Sequence, residues 1–239
     1  MTDLTPAVSL RRLMLASLAA AIVAVLVAAM LMASVARATD TTQCEGTITG
    51  TAAHDGLVVP EGATCTIEPG ADVTVSGSVD VERRATLALV RRNGVRGTLS
   101  VDRDLLIEQG AQLRDTGKLS VTGNVTATDT PNVHAYDQTT IGGNFEIRSY
   151  RLVDLGAIDV HGTLSIEHNA THQRGDQVYV RRAELGGLVL KHNNGAFGDI
   201  TDNRIATRLQ CTQNGFGRFF FERNMVAGKP VTESACAKR

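Results

Sequence analysis

From about residue 40 onward apolar and polar positions alternate, and the alternation returns as a five-residue phrase. It reads Gly77-Ser-Val-Asp-Val81, Gly97-Thr-Leu-Ser-Val101, Gly117-Lys-Leu-Ser-Val121, Gly143-Asn-Phe-Glu-Ile147 and Gly162-Thr-Leu-Ser-Ile166. Weaker copies stand at Gly56-Leu-Val-Val-Pro60 and Gly187-Leu-Val-Leu-Lys191. An apolar third position, a polar fourth and an apolar fifth give the period of two of a half-buried strand. The leading glycines are separated by 21, 20, 20, 26, 19 and 25 residues, and a persistent step near 20 marks a solenoid.

Each step holds more than one strand. Leu105-Leu-Ile107 follows the phrase at Gly97, a turn falls at Gln109-Gly110, and Ala111-Gln-Leu113 comes next. Two or three short strands per step is the arithmetic of a parallel β-helix. No stretch past residue 38 sustains a helical period, and β-branched residues alternate with Gly, Asn and Asp turns. The expected fold is therefore all-β, a single-stranded parallel β-helix of about 20 residues per coil, with coils from about Thr47 to Asn203.

Stacking equivalent positions predicts an inner ladder of Val58, Val79, Leu99, Leu119, Phe145, Leu164 and Val189, beside a second of Val81, Val101, Val121, Ile147 and Ile166. Asn124, Asn169 and Asn194 fall at one place after the strand, and Asn203, Asn214 and Asn224 follow at half-coil steps. Asparagine tolerates left-handed backbone and bonds neighbouring backbone, so these read as corner ladders. The two long steps predict loops at residues 128–136 and 171–177. Phe216, Phe219, Phe220 and Phe221 read as an apolar plug over the last coil.

Residues 1–38 form a targeting segment: Arg11-Arg12, an apolar run from Leu13 to Val35, and Ala36-Arg37-Ala38 as a small-x-small cleavage site. Cleavage would leave a mature chain from about Thr39 to Arg239. The run is also long enough to span a bilayer, so an uncleaved anchor through residues 11–35 stands as the other reading. Both place residues 39–239, a single domain, outside the cytoplasm, secreted or at the cell surface.

The whole chain has 24 Lys and Arg against 25 Asp and Glu; without the three basic residues and one acidic residue of the leader, 21 face 24. This mild acidity excludes nucleic acid as the main partner. All four cysteines lie in the exported part, which favours disulfides. Cys44 and Cys65 are 21 residues apart, nearly one coil, which puts them in equivalent places on successive coils at a separation a disulfide accepts. Cys211 and Cys236 are 25 apart. Both pairs stand where a solenoid must cover its ends.

Arg83, Arg84, Arg91, Arg92, Arg96 and Arg103 crowd two coils. Arg83 and Arg103, one period apart, are expected to stack into a ridge that could hold an anionic wall polymer through bidentate contacts. Glu82, Asp102 and Asp104 lie among them, and a partly neutralised solvated edge is the plainer reading. Asp80, Asp102, Asp104, Glu146, Asp159 and Glu167 are the carboxylates a glycan-cleaving β-helix could draw on. They share no evident column, and with no Trp and three Tyr the chain is poor in sugar-stacking rings. His161, His168, His172 and His192 lack the helix that would bring a spaced pair to one metal. Arg174-Gly175-Asp176 matches a cell-adhesion tripeptide, a match three residues make easily by chance. No catalytic residue, metal or cofactor is assigned.

The recurring phrase, Gly123-Asn-Val125, and the run from Asn193-Asn-Gly195 through Asp202-Asn-Arg-Ile205, Leu209-Gln-Cys211 and Asn224-Met-Val226 to Cys236 resemble secreted bacterial right-handed parallel β-helix proteins over residues 44–236. The chain is also distantly similar to bactofilin-type polymer-forming solenoids, departing from them in its export segment and cysteine-closed ends. The resemblance implies the right-handed coil; it implies no catalytic residue. The expected function is a non-catalytic structural or binding module, monomeric, contacting cell-wall polysaccharide or a surface protein. A small glycan-active enzyme and a self-assembling polymer are the alternatives.

Overall fold

The computed structural model describes residues 41–167, 176–193, 197–232 and 236. The leader, at residues 1–38, lies outside them. The described chain winds into a parallel β-solenoid of about 8 turns, each about 21 residues, and none of its residues is helical.

The solenoid has three sides. The first is built from Thr51–His54, Asp72–Val75, Thr98–Val101, Lys118–Val121 and Thr140–Ile141, and the second from Thr41–Gln43, Gly56–Val59, Val79–Val81, Leu105–Ile107, Val125–Thr128 and Phe145–Arg148. Three long strands, Asp159–Glu167, Glu184–Lys191 and Arg204–Thr212, run unbroken around the corner between them, which makes both sides one 16-stranded sheet. The third side is a separate nine-stranded sheet: Gly46–Ile48, Thr64–Ile67, Thr86–Leu89, Gln112–Asp115, Asn132–Ala135, Leu152–Gly156, Gln177–Arg181, Phe197–Thr201 and Arg218–Glu222. We call the turns from first to second, second to third and third to first side the first, second and third corners. Strands Asn224–Val226 and Lys229–Val231 close the far end as an antiparallel pair.

The core is a set of aliphatic stacks. On the second side Val79, Leu105, Val125, Phe145, Leu164, Leu188 and Leu209 lie one above another, and on the first side Val73, Leu99 and Leu119 do the same. The single inner ladder expected from the repeated phrase is thus two. Val79, Phe145 and Leu164 belong to the second side, Leu99 and Leu119 to the first, and Val81, Ile147 and Ile166 are likewise separated from Val101 and Val121. Val58 and Val189 do not point inward at all. Val58 lies opposite Asp80 with Leu57 and Val59 turned to the core, and Val189 lies opposite Ser165 between inward Leu188 and Leu190. In both phrases three apolar residues run together, so alternation alone does not fix the register, and a slip of one residue reverses every side chain.

The phrase splits because its glycine marks a corner rather than a coil. A Cβ on Gly97, at the third corner, would come 2.5 Å from the Ile67 carbonyl oxygen, and one on Gly143, at the first corner, 2.6 Å from that of Gly123. Both corners bring backbone so close to the coil below that only glycine fits. The long step from Gly117 to Gly143 is therefore a change of corner, not an insertion. Residues 128–136 form no extra loop: Val125 pairs with Phe145 and Asn132 with Leu152, the same step that takes Leu99 to Leu119. The real insertion is earlier. Arg91–Arg92 and Val95–Arg96 form an antiparallel hairpin at the third corner, turning on Asn93 (φ 52°) and Gly94 (φ 81°). It lengthens that coil, so that the step from Val73 to Leu99 exceeds the one from Leu99 to Leu119. The second expected loop is supported by register, since Leu152 pairs with Gln177, a longer step than the one from Asn132 to Leu152; of residues 171–177, 171–175 lie outside those described.

Asparagine ladders line all three corners, in different groupings from those expected. At the first, the Asn124 N–H donates to Asp104 Oδ1 (2.7 Å), the Asn144 N–H to Asn124 Oδ1 (2.9 Å) and the Thr163 N–H to Asn144 Oδ1 (2.9 Å). At the second, the buried Asn193 donates its N–H to Asn214 Oδ1 (3.0 Å); at the third, Asn203 donates to Asn224 Oδ1 (3.0 Å). Asn203, Asn214 and Asn224 are thus two ladders with full-coil steps. Asn169 and Asn194 lie outside the described residues. Coils also continue well beyond Asn203, through Arg218–Glu222.

Cys44 pairs with Cys65 (Cα–Cα 5.4 Å) and Cys211 with Cys236 (Cα–Cα 5.0 Å), tying the first turn to the second and the tail to the last. Two such pairs fit an oxidising compartment. The first pair is not in equivalent places: Cys65 lies opposite Gly46, and Cys44 reaches it from the corner. Phe216, Phe219 and Phe221 fill the last turn, where Gly198 leaves them room, while Phe220 faces outward, 46% exposed. The corrected register of the second turn has a simple check. Leu57→Ala should cost about 2–5 kcal/mol and Val58→Ala under about 1 kcal/mol, read from urea unfolding followed by circular dichroism; equal costs would restore the Val58 ladder.

Candidate functional site

The six arginines do not form one ridge. Arg83 and Arg84 stand at the second corner, Arg103 at the first, and Arg91, Arg92 and Arg96 on the hairpin at the third. Because the hairpin lengthens its coil, the residue one turn after Arg84 is Gly110, not a position near Arg103. Arg96 is occupied within the structure: its guanidinium donates to the carbonyls of Gly117 (3.0 Å) and Asp137 (2.9 Å) and pins the hairpin to the next two coils. Arg91 and Arg92 are exposed.

At the second corner Arg83 and Arg84 share a groove with Arg151. The groove, of about 440 Å³, runs along this corner from Arg83 and Arg84 at one end, past Arg151, to Asp176 one turn beyond it. Gln109, Thr130 and Ser149 lie between, and Asp129 and Asp176 add the opposite sign. The Arg84 side chain lies across the bare Cα of Gly110, where a Cβ would stand 3.2 Å from its Cγ. None of the three guanidinium groups has an ion-pair partner among the described residues. The Thr130 hydroxyl, on the groove wall, is buried and has no hydrogen-bond partner there.

The carboxylates remain dispersed. Asp104 is engaged by Asn124, Glu146 pairs with Arg148, Asp159 lies 3.5 Å from His161 and Glu167 3.5 Å from His192. Asp102 lies at the first corner, beside Arg103. Asp80 and Glu146 share an outward column on the second side, with Leu106 and Thr126 between them. Burial holds the Asp80 carboxyl above its ordinary value, and Glu108 and Glu82 add to the effect. No three His, Cys, Asp or Glu side chains among the described residues could hold a metal ion. His168 and His172 lie outside those residues, as do Arg174 and Gly175, while Asp176 of the adhesion-like tripeptide is buried.

Sequence reasoning missed the third side. Its outward columns run His134, Asp154, Tyr179, Asp199, Phe220 and, beside them, Asn132, Leu152, Gln177, Phe197, Arg218. The Tyr179 and Phe197 rings are 5.3 Å apart and those of Phe197 and Phe220 5.5 Å, so three rings form a row across the last three strands. The Arg181 guanidinium sits 5.0 Å over the Tyr179 ring and donates to Asp154 (2.8 Å). Tyr136 lies over Gly156, whose missing Cβ would be 3.1 Å from the ring, and donates its hydroxyl to Asp154. Burial first, then Asp154, pushes the Tyr136 hydroxyl up, which keeps it protonated as that donor. Burial holds His134 below its ordinary value, against the pull of Asp154. The signal for this face is the full-coil spacing of Asp154, Tyr179, Asp199 and Phe220, visible only once the length of each coil is known.

A carboxyl group is enclosed in the core. Asp115 is fully buried, accepting from the Gly117 N–H (2.9 Å) and the Thr139 hydroxyl (2.6 Å). Burial pushes its carboxyl up to about 6, against those two bonds and the charge of Arg96. No protein-family model, curated protein or solved structure matches the chain.

Asp115 makes stability depend on pH in a defined direction. Between about pH 4 and pH 6 the folded chain keeps a proton that the unfolded chain has released, so stability falls as pH rises through that window. The loss is on the order of 2–3 kcal/mol. Asp115→Asn should flatten this part of the profile of urea midpoint against pH; a profile parallel to that of the unaltered protein would refute the assignment.

Proposed function

We propose that the chain is an exported, non-catalytic β-solenoid of the kind found among secreted bacterial right-handed parallel β-helix proteins, serving as a structural and binding module at the cell surface or wall. The observation that carries this reading is the second-corner groove. There Arg83, Arg84 and Arg151, drawn from two separate turns, flank one walled depression with no ion pairs of their own among the described residues. Unpaired guanidinium groups on a rigid frame suit the carboxylates or phosphates of an anionic wall polymer. The dispersed carboxylates favour binding over hydrolysis, since acid and base must converge on one bond. The two cysteine pairs support an oxidising, extracellular setting.

The test is co-sedimentation of the full-length protein, in mild detergent, with wall material isolated from the producing cell. Retention at low salt and release near 1 M salt, where the Debye length is about 3 Å, is expected. The Arg84→Ala, Arg151→Ala double variant should stay in the supernatant at both. Failure of the unaltered protein to pellet at low salt, or undiminished pelleting by the double variant, would remove the reading.

A further inference from the structure

We infer, on the reading of the second-corner groove as an anion site, that it also selects by charge spacing. It takes a linear polyanion whose negative groups stand about two strand steps apart, near 10 Å, with uncharged hydroxyl-bearing chain between them. Strand register fixes the level of each groove residue along the solenoid axis. Arg84 belongs to one turn, Gly110 to the next, Asp129 and Thr130 to the third, Arg151 to the fourth and Asp176 to the fifth. Arg84 does not stay on its own level. Its side chain lies across Gly110, where the missing Cβ leaves room and the backbone takes φ 77°. That carries its guanidinium toward the second level, with Asp129 on the third and Arg151 on the fourth. The signs then run positive, negative, positive at strand steps of about 4.8 Å, and the buried Asp176 repeats the negative sign one step further.

This order of signs selects the occupant. At 0.1 M salt the Debye length is about 10 Å, so charges one step apart along the groove are felt separately. A polymer charged on every unit, and advancing about one strand step per unit, can meet Arg84 and Arg151 only by setting another anion against Asp129. A polymer charged on every second unit meets both guanidinium groups and leaves an uncharged unit opposite Asp129. Partners for the hydroxyls of that unit are in place. The exposed Asp129 carboxylate accepts from them. The Thr130 hydroxyl beside it is buried on the groove wall and has no partner among the described residues, a hydrogen bond that an occupant completes. Gln109 and Ser149 offer further donors and acceptors one level before and one level after.

The probes are hyaluronan hexasaccharide, with a carboxylate on every second sugar, and hexagalacturonate, with one on every sugar. Each is labelled at its reducing end and followed by fluorescence anisotropy as full-length protein in mild uncharged detergent is added, at about 0.1 M salt. By charge alone hexagalacturonate should bind more tightly; the opposite order is expected, with hyaluronan favoured about ten-fold or more, which corresponds to about 1.4 kcal/mol. Asp129→Asn keeps a side chain that tolerates the left-handed backbone there (φ 52°). It should strengthen hexagalacturonate binding about five-fold or more and change hyaluronan binding less than about two-fold. The Arg84→Ala, Arg151→Ala double variant should lose both probes, and the Arg91→Ala, Arg92→Ala variant, altered on the hairpin at the third corner, should keep both. Circular dichroism confirms that each variant is folded. Hexagalacturonate binding as tightly as hyaluronan, with both lost in the Arg84 and Arg151 double variant, would overturn the spacing rule and leave the anion site standing. A preference for hyaluronan undiminished by Asp129→Asn would overturn it equally. Binding of neither probe, or of both by the folded double variant, would overturn the anion site and the spacing rule together.

Discussion

Everything in this molecule depends on one requirement: each turn must lay its backbone directly over the last, because the hydrogen bonds of a strand are satisfied only by the strands of adjacent turns. Peptide N–H and C=O groups alternate along three sides and find partners above and below, from Gly46 opposite Cys65 to Ile200 opposite Phe221. Vertical repetition follows. A side chain that points inward must sit on another that points inward, and the aliphatic stacks of the first and second sides are that condition in residues. The corners are harder, since chain direction changes there while the distance to the next turn does not. They are met in two ways, by glycines where carbonyls approach too closely for a Cβ, and by asparagines whose side-chain oxygen takes the N–H of an asparagine one turn away.

The same requirement decides where chemistry can lie. Inward positions are committed to packing, and Asp115, an exception, is enclosed with two donors rather than offered to solvent. Outward columns and corners are free to vary. The arginine groove and the ring row are both products of columns: neither is contiguous in sequence, and each exists because positions a full coil apart are neighbours in space.

This accounts for what was legible in the sequence. Alternation and period yielded the solenoid, the class of strand and the two cysteine pairs, because each is a local or a one-turn property. The assignment of phrases to sides failed because the glycine phrase is a rule for corners, and two corners obey it. The Asn93-Gly94 hairpin then shifted every later coordinate, so Arg83 and Arg103 looked stacked when they stand at different corners. The ring row was hidden for a related reason. A count of three tyrosines and six phenylalanines measures abundance, whereas three rings suffice when successive strands bring them together.

The covalent ties at the two ends bear on how the molecule comes apart. A stack whose turns touch only their neighbours behaves as a one-dimensional chain of units, and such a chain frays from its ends, where a unit can leave by breaking a single interface. Here the first turn is bonded to the second through Cys44 and Cys65, and the tail to the last turn through Cys211 and Cys236. Fraying of a single terminal turn is thereby restrained, since the first turn can leave only together with the second and the tail only with the last turn. Where proteases attack transiently opened chain, that restraint lengthens the protein's persistence.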